Sequence, residues 1–161
     1  MSYALRPALP ADFPDLGILF QASIEELASQ AYNDDQRAMW AAKAEHAETW
    51  AKHLGACLTL VAEEDGEPVG FAAMRDNAMI ENVHVHPDMA FMGVGRHLVD
   101  ALERLAQARG AAKLAASVTD NALPFFEKLG YVAVRRATLS IGDEWMASMV
   151  MEKPLASGDE A

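Results

Sequence analysis

A single cysteine, Cys57, stands in 161 residues. No disulfide can form within the chain, and no cysteine-rich metal module is available. Cys57 lies in the apolar run CLTLVA, where a small buried hydrophobe is a better reading than a nucleophile. The five histidines supply no zinc-finger spacing. His84 and His86 are two apart, as along one strand face, but lack a third ligand, so no metal is expected. No stretch approaches the ~18 consecutive apolar residues of a membrane-spanning helix. The opening MSYALRPALP has no basic region ahead of a long apolar run, so a signal peptide is not expected and the compartment expected is the reducing cytoplasm. Positive charge is also scarce: 13 Lys and Arg face 24 Asp and Glu, for a net charge of −11. That balance argues against nucleic acid or an anionic membrane as partner. Any anion must be held by a local arrangement, not by the global field.

Apolar residues, by contrast, are plentiful, at 52% against 23% charged. This suits one globular domain with a real core. We expect that domain over residues 1–155, followed by a small polar tail, Ala156 to Ala161, expected to be disordered. Tyr3 to Arg6 predicts a strand. Pro10 and Asp12 open a helix in which Leu16, Leu19, Phe20, Ile24, Leu27 and Ala31 share one face. Asn33-Asp34-Asp35 breaks that pattern and caps a second helix, where Trp40, Ala44, Ala47, Trp50, Ala51 and Leu54 recur at helical spacing. Cys57 to Glu63 and Pro68 to Met74 predict two strands joined through Asp65-Gly66, a hairpin signal. Met79 to Val85 predicts a third. After the helix that follows come a strand at Lys113 to Ser117, a short helix at Ala122 to Leu129, and two strands, Tyr131 to Ile141 and Trp145 to Lys153. The order predicts a mixed α/β domain with hairpins around one βαβ unit.

The stretch VHVHPDMAFMGVGRHLVDALERLAQARG, Val83 to Gly110, carries the strongest chemical signal. A β-like run stops at Pro87 and passes through Gly93-Val94-Gly95. It then enters a helix striped by Val94, Leu98, Leu102 and Leu105, with an Asp100–Arg104 pair on the outer face. Glycines at such a junction let a ligand approach the backbone. The first turn of the helix offers free N–H groups and partial positive charge, which suits a phosphate. A dinucleotide site would need G-x-G-x-x-G after the first strand. This loop has only G-x-G, and it lies mid-chain.

These residues resemble the signature of the GNAT superfamily of acyl-CoA-dependent N-acetyltransferases, Gln/Arg-x-x-Gly-x-Gly/Ala after a strand ending in Val-x-Pro. LRPALPADFPDLGILF, LVAEEDGEPVGFAAM, TDNALPFFEKLGYV and MVMEKP are similar to other parts of that family, in the same order. The resemblance implies a mixed, mostly antiparallel central sheet flanked by helices. It also implies acetyl-CoA as cosubstrate and transfer of its acetyl group to a primary amine of a small molecule or peptide in a ternary complex. Two departures stand out. Ala90 replaces the usual Gln or Arg, and Phe125-Phe126 replaces Phe-Tyr, which removes the tyrosine that serves as the acid elsewhere.

By the same resemblance, the cofactor contacts expected are Val83, His84 and Val85 on the strand, Phe91 to Arg96 (Phe91, Met92, Gly93, Val94, Gly95, Arg96) in the loop, and Asn121, Phe125 and Phe126. Amine acylation needs a proton acceptor, an oxyanion donor and departure of a thiolate. Glu81 is the expected base, with a substrate-anchoring role as the other reading. The amide of Val85 is the expected oxyanion donor. The acid stays open among His84, Tyr32, Ser117 and solvent, while Tyr131 reads as core. Tyr32 is the expected acceptor contact, whereas Trp40 and Trp50 read as core. A homodimer through the last strands is expected. The competing reading is a non-catalytic acetyl-CoA or CoA sensor, or a degenerate subunit.

Overall fold

A computed structural model describes residues 3–155; the tail expected to be disordered, Ala156 to Ala161, lies outside the described residues. Seven strands form one sheet: β1 (Ala4–Pro7), β2 (Leu58–Glu64), β3 (Glu67–Arg75), β4 (Met79–Val85), β5 (Lys113–Thr119), β6 (Val132–Ile141) and β7 (Glu144–Pro154). Their spatial order is β1-β2-β3-β4-β5-β7-β6. Every neighbouring pair is antiparallel except β4–β5. Five α-helices flank the sheet: α1 (Phe13–Leu27), α2 (Asp34–Ala41), α3 (Ala47–Gly55), α4 (Val94–Ala108) and α5 (Leu123–Lys128). Among the described residues, no helix is long and apolar enough to cross a membrane.

The sheet separates two apolar cores because side chains alternate along each strand. On β3, Ala72 and Met74 join Val94, Leu98 and Leu102 of α4, while Phe71 and Ala73 join Phe20, Trp40 and Trp50 of the first three helices. Leu98 and Leu102 are fully buried, and each such burial stabilises by roughly 1.5–3 kcal/mol. The Asp100–Arg104 pair forms at 3.1 Å on the exposed face of α4.

Two expectations about the helices need correction. The first helix ends at Leu27, so Ala31 lies outside it and is exposed; Ala28, fully buried at the C-cap, closes the stripe instead. The second helix is broken into α2, a 3-10 turn at Ala42–Ala44 and α3, because His46 takes an extended conformation (φ −95°, ψ 95°) at the start of α3. Helical spacing survived the break because Trp40 and Trp50 both still face the core.

Two irregularities of β4 position the site. First, a bulge interrupts its pairing with β3: Ala73 faces Asn82, yet the next residue, Met74, faces Ile80. Glu81 is therefore the extra residue. Second, β4 and β5 pair only at Met79–Ala115 and Ile80–Ala116, and then part.

Candidate active site

The parting of β4 and β5 opens a cavity of about 880 Å³ between α1, the α2–α3 region, β4, the start of α4, the end of β5 and α5. The exposed backbone of β4 forms one wall. The amide of His86 donates to the Val69 carbonyl at 2.8 Å. Along an antiparallel pair, residues alternate between bonding the partner strand and facing away from it. The register pairs Val85 with Gly70 and Val83 with Ala72. The N–H and C=O of Val83 and Val85 therefore face away from β3, into the gap that β5 has left.

The start of α4 forms the far end. His97 is the first residue to close the helix, donating to the Gly93 carbonyl at 3.1 Å. The amides of Val94, Gly95 and Arg96 precede it, and no side chain caps them. Such a terminus attracts an anion. The two glycines have different tasks. Gly93 has φ +90° and open space where a Cβ would stand, so glycine serves the backbone conformation there. Gly95 is buried within the helix, and a Cβ on it would meet the Phe125 ring at 3.1 Å. Its need is close packing of α4 on α5. Phe91 also takes a positive φ (+65°), and its side chain is fully exposed at the rim.

Most of the expected contacts meet in this one cavity. Glu81, Val83, His84, Val85, Phe91, Gly93, Val94, Gly95, Arg96, Asn121, Phe125 and Phe126 all line it. Met92 does not: its side chain is turned outward, and its amide donates to the Met89 carbonyl at 3.4 Å. The free amides thus begin beyond it. Tyr32 is also outside the lining. It is buried, its hydroxyl donates to the Ala147 carbonyl at 2.6 Å, and it accepts from the Asp120 amide at 2.7 Å. These two hydrogen bonds tie the α1–α2 junction to β7 and the end of β5.

The candidate acids narrow further. His84 is buried between the rings of Phe20, Trp40 and Phe71. Burial pushes its pKa down to about 3, so it is a neutral imidazole near pH 7 and has no readily donated second proton. Tyr131 donates to Glu103 at 2.9 Å, and burial followed by that carboxylate raises its pKa. It belongs to the core, as its sequence context suggested. Ser117 lines the cavity and is half-buried.

The bulge turns Glu81 and Asn82 together toward α3, a step that plain alternation forbids. Glu81 Oε2 pairs with Arg75 Nη2 at 2.8 Å. Asn82 Nδ2 lies 2.9 Å from His53 Nε2. One potential ligand atom each from His53, Cys57 and Glu81 falls within 4.8 Å of the others. This grouping was invisible in the sequence, because its members lie on α3, the following loop and the bulge. Burial lowers the His53 pKa, partly offset by Glu81, so its imidazole is neutral near pH 7. Burial, then the Glu81 carboxylate, raises the Cys57 thiol, which therefore stays protonated. The site combines a carboxylate and a neutral imidazole beside an unpaired strand edge, with the uncapped start of α4 beyond.

Residues 28–153 match the family model described as "Acetyltransferase (GNAT) domain". The chain is similar to a GCN5-related N-acetyltransferase ("Aminotransferase, Class-II") of Rhodopseudomonas palustris, whose crystal structure superposes with a TM-score of 0.94 at 44% identity, covering 96% of this chain and 97% of that one. The uncharacterized N-acetyltransferase YafP of Escherichia coli is 29% identical over 147 residues, 91% of this chain and 93% of that protein. The PaiA N-acetyltransferase of Thermoplasma acidophilum, solved in complex with coenzyme A, shares the fold: its TM-score is 0.78 at 18% identity, with 96% and 99% of the two chains covered.

Proposed function

The chain belongs to the GNAT acetyltransferase family, and from that premise we propose that it moves the acetyl group of acetyl-CoA to a primary amine of a small molecule or peptide by direct attack in a ternary complex. The observation that carries this reading is that the uncapped start of α4, the unpaired edge of Val83 and Val85, and Glu81 all open into one cavity. The residues fit the cosubstrate. The amides of Val94, Gly95 and Arg96 would hold its pyrophosphate, with Arg96 adding charge at the rim. The pantetheine arm would pair with Val83 and Val85 as an added strand does.

The amide of Val85 faces the gap and would donate to the carbonyl oxygen as negative charge develops there. Glu81 takes the amine's proton, directly or through one water. His53 stands beside it as a neutral imidazole held by Asn82 and can share that proton. Phe126 offers no hydroxyl, and His84 and Tyr32 have other employment, so the thiolate leaves with a proton from solvent or Ser117. A homodimer is supported by exposed Val132, Val134 and Trp145 on the β6–β7 edge.

The test is to mix the protein with acetyl-CoA and a panel of amines, then follow free thiol and acetylated product by mass. Glu81→Gln should keep acetyl-CoA affinity and lower turnover at least tenfold, about 1.4 kcal/mol of barrier. Tight acetyl-CoA binding with no product from any amine would favour the non-catalytic sensor. Wild-type turnover by Glu81→Gln from about pH 6 to pH 9 would remove Glu81 from the reaction.

A further inference from the structure

The charge on the cavity wall is opposite in sign to that of the chain. Acidic residues outnumber basic ones by 24 to 13 overall. Yet Glu81 is the only carboxylate among the cavity-lining residues, against the three full cations Lys43, Arg96 and Lys128. Arg96 and Lys128 stand at the α4–α5 end, where a phosphate would sit. Lys43 stands at the other end, on the 3-10 turn between α2 and α3, within electrostatic reach of Glu81 and His53. The one carboxylate there is already paired with Arg75, at 2.8 Å. Among the described residues, Lys43 has no ion pair at all. Loss of hydration against the cavity wall lowers its pKa, with Glu81 partly restoring it. At the acceptor end Lys43, an exposed side chain, and Glu81 both line the cavity, and Glu81 is taken by Arg75, so the ammonium of Lys43 is open to a carboxylate that a ligand brings.

An acceptor must bring an amine to Glu81. A polyamine or a lysine side chain within a basic peptide would bring further positive charge against Lys43, and no carboxylate other than Glu81 lines the cavity to meet it. A molecule with a carboxylate next to its amine satisfies both groups: the amine meets Glu81 and the carboxylate meets Lys43. The remaining wall at this end mixes apolar Ile24, Leu27, Trp40 and Leu139 with polar His46, Thr49 and Asn82. We infer that the acceptor is a small amino acid-like zwitterion, its carboxylate bound by Lys43. This rests on the acetyl-transfer reading of the same cavity.

The test uses leucine, methionine and phenylalanine, the methyl ester of each, and a diamine such as putrescine. The wild-type protein should acetylate at least one free amino acid with kcat/KM at least tenfold above its ester, and the diamine more weakly than either. Lys43→Met should bring the acid-to-ester ratio close to one, chiefly by raising KM for the acid. Lys52→Met, an exposed lysine of α3 outside the cavity, should keep the wild-type ratio. Esters or the diamine preferred by the wild-type protein, or equal ratios in wild type and Lys43→Met, would overturn the inference while leaving acetyl transfer intact. If no amine is acetylated, the acetyl-transfer reading fails by itself. Calorimetric titration of the same acids and esters into the CoA-saturated protein then decides: binding of acid but not ester, lost in Lys43→Met, upholds the carboxylate site, and no binding of the acids at millimolar concentration overturns it.

Discussion

His84 offers the sharpest physical test of the cavity wall. Its imidazole is enclosed by Phe20, Trp40 and Phe71, and Ser23 Oγ lies 3.4 Å from Nδ1. Burial shifts its pKa from the ordinary 6.5 to about 3. Between those values the unfolded chain binds a proton at this position and the folded chain does not. Stability therefore falls as pH falls through that window, by about 1.4 kcal/mol per unit. Above pH 6.5 both states are neutral and the group contributes nothing to the slope. At pH 5 the loss from this residue alone should be roughly 2 kcal/mol. His84→Phe keeps a ring and removes the titration. It also leaves Ser23 without its partner, so at pH 7.5 the variant should be about 1 kcal/mol less stable. Repacking costs are the same at both pH values and cancel in the comparison. Urea unfolding at pH 7.5 and pH 5 should show the variant's deficit becoming an advantage, a relative change of about 2 kcal/mol. Parallel losses in the two proteins would show that His84 titrates normally and that the enclosure argument is wrong. Turnover adds a second readout. If His84 supplies no proton, His84→Phe should keep most of its activity, and a hundredfold loss would return it to the list of acids.

Gly95→Asp should cost acetyl-CoA affinity at least a hundredfold, about 2.7 kcal/mol, by calorimetry. The added Cβ displaces Phe125, which it would meet at 3.1 Å, and a negative charge enters the cradle; Gly95→Ala tests the steric part alone, and near-normal binding by a folded Gly95→Asp protein would show that this loop holds no anion. Gly93→Ala should lower the thermal midpoint through strain of roughly 1–2 kcal/mol at its positive φ, with nothing to clash against; an unchanged midpoint would mean that another backbone conformation is available there. Tyr32→Phe should cost about 2 kcal/mol of stability, because the Asp120 amide and the Ala147 carbonyl both lose their partner. Its KM for the acceptor should stay within twofold of wild type, and a tenfold rise would put Tyr32 back in the pocket.

Much of the architecture was legible because periodicity and punctuation are local. Met79 to Val85 was read with the bounds it has, and Gly110 closes α4 with φ +95° as a helix-capping glycine should. The hairpin at Asp65-Gly66 and the helix stripe of Val94, Leu98 and Leu102 follow from the same local chemistry. The gap in the second helix escaped because its apolar spacing continues across the break. The anchoring of Tyr32 escaped because an aromatic residue in a polar turn looks like a pocket residue. Its two partners lie 88 and 115 residues away in the chain.

The sequence alone determined the family, the order of the elements, the glycine junction and the short list of groups able to do acyl-transfer chemistry. These depend on residue type and short spacing. It could not decide which way Glu81 points, because one extra residue in β4 reverses the faces, and nothing local distinguishes a bulged strand from a regular one. That bulge turns Glu81 and Asn82 toward α3 and brings His53 and Cys57 beside them. Nor could it show that β5 leaves β4 after Ile80, which frees the edge at Val83 and Val85. The task of Gly95 and the burial of His84 were likewise settled by contacts between distant segments. Charge balance and proton affinity depend on which groups share a low-dielectric space, and only the tertiary structure brings those groups together.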